Sequence, residues 1–182
     1  MRHQTKILLT ILMLIALMGM AACSTIYGSA RDERSVGDQA TDKEISLSIK
    51  KKLADVDGDK ALQVHVYCFM RHVYLVGALN DTSFRSFAVK TARGTDEVKA
   101  VTQYFVAESD TTSDDLEIAA SVRAALIAEG DLSATQIEQE VMNGEVVLLG
   151  MVRSKADASL AIRTAKGVEG VRKVTSFMIP TQ

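Results

Sequence analysis

The sequence predicts an α+β fold that is written twice along the chain. Three observations lead to this prediction: an internal repeat without a gap, a helix and strand periodicity in the order α-β-β-α-β, and turn signals at the junctions. A shift of 73 positions superimposes residues 42–109 on 115–182 and aligns apolar and glycine positions throughout. Chance does not keep so many positions in register, so we expect two homologous domains, at 41–109 and 113–182.

The first element of each copy is an amphipathic helix. In the second copy Ser113 can cap this helix, and Asp114, Asp115 and Glu117 in its first turn suit the positive end of the helix dipole. Apolar residues at helical spacing should face the core: Ile118, Val122, Ala125 and Leu126. The outer side of the helix is then free for other contacts.

A hairpin and a second helix complete each copy. In the second copy, strands over 137–142 and 145–151 flank Asn143-Gly144, a pair that tolerates the positive φ angles of a type I′ turn. A helix over 155–166 stops at Gly167 and leads to a last strand over 171–179. Each copy therefore has two helices on one face of a three-stranded mixed sheet.

The N-terminus has the residue order of a secretory signal. Arg2 and Lys6 precede an apolar stretch over 7–17, which small residues follow. The apolar run over 7–22 is shorter than the roughly 20 residues that cross a bilayer, which argues against a transmembrane helix. We expect residues 1–22 to be removed as a signal peptide and residues 23–40 to form a spacer.

Composition excludes several classes of function. A net charge of −2 lacks the basic excess of a nucleic-acid-binding protein. The charges are unevenly distributed, with ten basic and nine acidic residues in 41–109 but seven basic and eleven acidic in 110–182. Neither a phosphate-binding glycine-rich loop nor a nucleophile elbow is present, so we expect no enzyme, no catalytic residue and no cofactor.

Two patterns suggest metal sites, and both have a simpler explanation. His65, Cys68 and His72 are close in sequence, but strand alternation puts Cys68 on the core face and the histidines on the other. A buried thiol is therefore favoured over a zinc site. The segment 55–59 begins like a calcium loop but lacks the glycine at position six and the glutamate at twelve. We expect a polar loop there and no metal.

The outer stripes of the two first helices are candidate binding surfaces. In the second copy this stripe combines apolar groups with one arginine: Leu116, Ala120, Arg123, Ala124 and Ile127. It suits a bilayer interface, where Arg123 pairs with a lipid phosphate; the alternative is packing against the first domain or the spacer. The stripe of the first copy is more basic, with a solvated helix face as its alternative: Lys43, Leu47 and Lys50.

A third surface is the face of the first sheet that the helices leave uncovered. Alternation places Tyr67, Phe69 and Tyr74 there. These aromatic side chains must be covered by something else or exposed. They form either the contact between the two domains or a site for a protein partner.

The repeat resembles the BON domain. The resemblance rests on the α-β-β-α-β order, on strands that end in residues 75–77 (Leu-Val-Gly) and 148–150 (Leu-Leu-Gly), and on helices that end at Gly94 and Gly167 before a Val-x-x-Val strand. It covers nearly all of the chain after the leader. The fold that it implies is the one that periodicity predicts.

The segment 20–23 (Met-Ala-Ala-Cys) is similar to the lipobox of bacterial lipoproteins, with Met in place of the commoner Leu. This resemblance implies that Cys23 becomes an acylated N-terminus; the alternative is an ordinary leader with an incidental cysteine. Ser24 in place of aspartate then implies the outer membrane, with the protein facing the periplasm.

Lipoproteins of the outer membrane with two BON domains supply the functional expectation. The resemblance implies binding of anionic phospholipids, support of envelope integrity and accumulation at the division site. It also implies an exposed aromatic residue on the first helix of the second copy, where this sequence has Glu117. The alternative function is a non-enzymatic module that docks an envelope protein.

Overall fold

A computed structural model describes residues 34–109, 112–130 and 132–182. The predicted signal peptide and Cys23 lie outside the described residues. Across the ranges that are described, no helix is long and apolar enough to cross a membrane.

The first domain has the predicted element order with one addition. Its elements are α1 (Val36–Ala54), α2 (Gly58–Leu62), β1 (Val64–Phe69), β2 (His72–Ala78), α3 (Thr82–Arg93) and β3 (Ala100–Val106). The central strand β2 is antiparallel to β1 and parallel to β3. Helix α1 begins before position 41 because Ser35 Oγ accepts a hydrogen bond from the Asp38 amide at 3.1 Å and caps it there.

The second domain repeats this topology. It consists of α4 (Thr112–Ala128), a 3₁₀ turn (Ala134–Gln136), β4 (Ile137–Met142), β5 (Glu145–Val152), α5 (Lys155–Lys166) and β6 (Lys173–Pro180). Strand β5 lies between antiparallel β4 and parallel β6. The α+β class with a mixed three-stranded sheet is confirmed. Helix α4 begins at Thr112, one residue before the predicted cap Ser113.

The central residues of both hairpin turns have a left-handed backbone conformation. Asn143 and Gly144 have φ of 55° and 68°, and Met70 and Arg71 have 54° and 64°. The predicted type I′ turn is therefore confirmed in the second copy and is present at the aligned position of the first. Asn and Gly adopt this region readily, whereas Met70 and Arg71 carry a steric cost in it.

A carboxylate from the first helix of each domain holds its hairpin. Asp42 accepts hydrogen bonds from the backbone amides of Met70 and Arg71, both at 2.8 Å. In the second domain, Asp115 accepts hydrogen bonds from the backbone amides of Asn143 and Gly144, both at 2.7 Å. Since the two positions are aligned by the repeat, the clamp is a property of the fold and not of one domain.

The helices and sheets of the two domains form four layers, with an apolar cluster between each pair of neighbouring layers. In each domain the helices cover one face of the sheet, with residues such as Ile49 and Leu75 at the first centre and Val122 and Leu148 at the second. The other faces of the two sheets pack together in a third cluster: Phe69, Tyr74, Val76, Met142, Val147, Leu149 and Met151. The order is helices, sheet, sheet, helices.

The acidic segment 55–59 joins the end of α1 to the start of α2. Asp57 Oδ1 accepts a hydrogen bond from the Lys60 amide at 3.1 Å and thereby caps α2. Its other oxygen lies 3.2 Å from Lys60 Nζ, while Asp55 pairs with Lys51 at 3.1 Å. The prediction of a simple polar loop therefore missed a short helix, because the capping side chain and the helix it starts span only a few residues.

Candidate functional site

The outer side of α4 exposes apolar side chains. Val122 and Leu126 are completely buried, which makes the opposite side of the helix the outer one. Leu116 is 68% exposed and Ile127 is 60% exposed. With the exposed alanines between them they form what we call the α4 outer face: Leu116, Ala120, Ala124 and Ile127. Four of the five residues that the sequence analysis selected here thus share one solvent-facing surface.

The fifth residue, Arg123, has a different place. Its Nη1 donates hydrogen bonds to the carbonyl oxygens of Ala134 at 3.0 Å and Ile137 at 2.8 Å, and the side chain is half-buried. These carbonyls lie in the turn that leads into β4, and the guanidinium supplies their donors. Nη1 of Arg123 is therefore engaged by the backbone of the second domain, and a role of this residue in binding phosphate stays a prediction.

Exposed cations in the same layer as this face come from α5. Arg163 and Lys166 are exposed. Thr164, between them, donates a hydrogen bond to Glu129 at 3.0 Å, just beyond the C-terminal end of α4. This contact joins α5 to the C-terminal end of α4, while Arg163 and Lys166 project from other sides of α5. The sequence analysis missed them because a helical stripe shows one helix and not its neighbour.

The outer side of α1 lies in the opposite layer and is only partly the predicted basic surface. Leu47 is 57% exposed, and Lys43 is exposed beside it. Lys50 is half-buried, and its charge contributes to the lowered pKa of Glu140 in the second domain. The predicted stripe thus consists of Lys43 and Leu47 on the surface, while Lys50 acts across the domain contact.

The aromatic face of the first sheet is the contact between the domains. Phe69 is 7% and Tyr74 4% exposed, and the Tyr74 ring lies 5.7 Å from the ring of Phe177 in the second domain. Tyr67 is half-buried at the edge of the same cluster. Of the two alternatives for this face, the structure shows the domain contact, so Phe69 and Tyr74 are not available to a protein partner.

Polar groups link the domains at one rim of this contact. Glu140 lies 3.0 Å from Nδ1 of His65 and accepts a short hydrogen bond from the Tyr67 hydroxyl. Burial disfavours the charge of Glu140, but the contacts with His65, Tyr67 and Lys50 outweigh it and hold the pKa of the carboxyl below its ordinary value. Burial, together with the nearby Glu140 charge, raises the pKa of Tyr67, so its hydroxyl remains a donor.

A second rim uses a similar group of side chains. The Tyr104 hydroxyl of the first domain donates to Glu145 of the second, and Lys173 Nζ lies 2.8 Å from the same hydroxyl and 3.2 Å from the carboxylate. The hydrogen bond from Tyr104 and the charge of Lys173 lower the pKa of Glu145. Both rims therefore place a carboxylate of the second domain against a tyrosine of the first.

The residues of the suspected zinc cluster lie in different surroundings. Cys68 is in the core of the first domain, where its thiol donates to Asp42 at 3.3 Å and burial raises its pKa to about 12. His72 hydrogen-bonds Thr102 at 2.8 Å, and burial lowers its pKa, while His65 faces Glu140. In the described part of the chain, no group of three or more potential ligands could hold a metal ion.

Both copies of the repeat match the same known domain. Residues 41–108 and 114–179 each match the BON domain. The chain belongs to the BON domain family. Among curated relatives, the Osmotically-inducible protein Y of Escherichia coli is 28% identical over 145 residues, 76% of this chain and 72% of that protein.

Two further relatives have a similar extent. The Outer membrane lipoprotein DolP of Haemophilus influenzae is 25% identical over 150 residues, 80% of this chain and 77% of its own length. The 21 kDa hemolysin of Actinobacillus pleuropneumoniae is 28% identical over 151 residues, with 79% and 76% covered. The suspected relationship to an outer-membrane lipoprotein with two BON domains is confirmed.

Proposed function

We propose that this protein is acylated at Cys23, anchored in the outer membrane facing the periplasm, and binds anionic phospholipids through the α4 outer face in support of envelope integrity. The exposure of Leu116 and Ile127 on one helix face carries the proposal. The family and the outer-membrane lipoprotein among its relatives support it. Exposed apolar side chains on an amphipathic helix are suited to the boundary between headgroups and acyl chains.

Charge suggests how the helix meets the bilayer. Asp114 and Glu117 are exposed at the N-terminal end of α4 and repel anionic headgroups, whereas Arg163 and Lys166 are exposed on α5 in the same layer. We expect the Ile127 end to contact the membrane first, with the two α5 cations paired to lipid phosphates. Arg123 keeps its backbone contacts in this arrangement.

The small free energy of inserting the helix face explains why a membrane anchor is part of the proposal. Inserting two exposed side chains such as Leu116 and Ile127 contributes about 3–5 kcal/mol, which corresponds to a dissociation constant in the millimolar range. The helix face alone therefore binds weakly. Acyl chains on Cys23 would supply the retention, since each buried methylene contributes about 0.8 kcal/mol, and the helix face would orient the domains.

Vesicle binding of residues 24–182, which lack the acylated cysteine, tests the lipid site. We expect co-sedimentation with phosphatidylethanolamine vesicles to rise with their phosphatidylglycerol content and to fall with salt. Leu116→Asp combined with Ile127→Asp should lower the bound fraction at least about tenfold, since both insertion contributions are lost. Arg163→Glu with Lys166→Glu should remove the dependence on phosphatidylglycerol.

The first domain supplies the competing site and the control. Lys43→Glu with Leu47→Asp changes the outer side of α1 and should leave vesicle binding unchanged. Loss of binding in this variant, with retention in the α4 variant, would move the site to the first domain. Absence of binding at low salt for the unmodified residues 24–182 would refute lipid binding altogether.

The anchor has a separate test. Cys23→Ala should leave the precursor without acyl chains, which a mass spectrum of the purified protein detects, and should release the protein from the membrane fraction. Unchanged mass and membrane retention would refute the assignment. Accumulation at the division site, which the family resemblance implies, is checked by imaging a fluorescent fusion of the chain in dividing cells.

A further inference from the structure

The first domain has a groove between α3 and the edge of its sheet. Strand β3 pairs with β2, and among the described residues no strand pairs with its other edge. Helix α3 runs beside this edge. The groove between them has a volume of about 790 Å³, and its polar lining comprises Thr82, Arg85, Ser86, Lys90, Arg93 and Gln103.

The charges in the groove have one sign. None of the described residues that line it is acidic, and Lys90 and Arg93 are exposed along one stripe of α3. Arg85 is held in place, since its Nε donates to the Leu79 carbonyl at 2.5 Å and its Nη2 to the Val106 carbonyl at 2.8 Å. One cation is thus fixed at the Val106 end of the strand, and two further cations follow along the helix.

We propose that this groove binds an extended acidic peptide segment of a partner protein, which adds as a strand to β3. An edge strand offers unpaired amide and carbonyl groups for main-chain hydrogen bonds, and side chains on alternate positions of the peptide reach the helix side. Carboxylates at those positions would meet Lys90 and Arg93. Main-chain pairing gives the affinity, and the exposed Lys90 and Arg93 select acidic residues.

The shape of the surface favours a peptide over a membrane. A strand fits between a helix and a sheet edge, whereas a bilayer needs a flat or convex surface to rest on. The aligned edge in the second domain is less suitable, because β6 ends in Pro180, which has no amide hydrogen, and its Lys173 is engaged by Tyr104 and Glu145. The proposal therefore concerns the first domain.

Fluorescence anisotropy with the full acylated chain in detergent micelles tests binding. The probe is a labelled peptide of alternating glutamate and valine; its controls are the lysine–valine peptide and the acidic peptide with N-methylated amides. We expect the acidic peptide to bind, the basic one not to bind, and N-methylation to weaken binding at least about tenfold, since it removes main-chain donors. Equal binding of the N-methylated peptide would overturn strand addition.

Two variants locate the site. Lys90→Glu with Arg93→Glu should lower the affinity for the acidic peptide at least about tenfold. Lys51→Glu with Lys52→Glu makes the same change of charge on α1 and should leave the affinity unchanged. The same affinity in both variants would overturn the proposal.

Hydrogen exchange separates strand addition from simple charge attraction. The acidic peptide should slow the exchange of backbone amides within β3, and no such protection would overturn the proposal. Phosphatidylglycerol vesicles serve as the competing probe. If the Lys90→Glu and Arg93→Glu variant loses vesicle binding while the peptide fails to bind the unmodified protein, the groove is a lipid site and the peptide proposal is wrong.

Discussion

The two hairpin turns have the same backbone and different support. In the second domain the turn is Asn143-Gly144, residues that adopt positive φ at low cost. In the first domain Met70 and Arg71 occupy it, and the carboxylate that holds them, Asp42, is 2% exposed and also pairs with Arg34 at 2.7 Å. The clamp that both domains share is thus buried in the first domain, where the residues of the turn are unfavourable.

The outer surfaces of the two domains also differ at aligned positions. At aligned positions of the first helices, the first domain has Lys43 and Ala54 where the second has Leu116 and Ile127. One fold therefore presents an apolar surface on one side of the four layers and a more basic one on the other.

The largest expected difference between the domains is at the clamp. Asp42→Ala should cost about 3–5 kcal/mol of unfolding free energy, because it removes the acceptor of two turn amides and the carboxylate that pairs with the half-buried Arg34. Asp115→Ala should cost about 1–3 kcal/mol, since the turn it holds is favourable by itself. Urea denaturation measures both. Equal losses would contradict a larger contribution from the Asp42 clamp.

The next difference concerns two aligned glycines of the central strands. A Cβ added at Gly77 would overlap the carbonyl oxygen of Gln63, and one at Gly150 would overlap that of Gln136. Gly150 also has a φ of 122°, which side chains rarely adopt. We expect Gly150→Ala to cost about 2–4 kcal/mol and Gly77→Ala about 1–3 kcal/mol, from thermal and urea unfolding. A smaller loss at Gly150 would contradict a role for backbone strain.

A third prediction tests how the domains are joined. Glu140→Gln should cost about 1–2 kcal/mol at neutral pH, because it removes the charge that His65 and Tyr67 stabilise. The pKa of Glu140 is lowered by folding from 4.5, so its contribution is full above that value and is lost as the pH falls through the folded-state pKa. The difference between variant and wild type in urea should therefore vanish in acid. A loss that persists there would exclude an ionic origin.

Periodicity predicted the faces of single elements well. The strand Ile137–Met142, the helix Lys155–Lys166 and its stop at Gly167 lie where the sequence predicts them, and Leu116 and Ile127 are exposed as helical spacing requires. These properties depend on neighbours within a few residues, which the sequence displays directly.

Contacts between distant segments could not be predicted in this way. Arg123 looked like a surface cation because its acceptors, the carbonyls of Ala134 and Ile137, are brought to it only by the turn after α4. Alternation showed that Tyr74 needed a cover, but the covering residue, Phe177, belongs to the other domain. Periodicity predicts which side chains need a partner, but the identity of the partner depends on the tertiary structure.

The smallest expected effect is at Cys68, whose aligned residue in the second domain is Val141. Cys68→Val exchanges a weak thiol donor to Asp42 for an aliphatic group that the same fold already accommodates, so we expect a change within about 1 kcal/mol. With its pKa raised to about 12 the thiol is un-ionised at neutral pH, and in residues 24–182 iodoacetamide should label it only as fast as the first domain opens. Rapid labelling of the native protein would contradict the burial of Cys68. A loss above about 2 kcal/mol in Cys68→Val would make the thiol part of the Asp42 clamp. The first domain would then depend on a polar contact that the second domain, with Val141 at the aligned position, does not have.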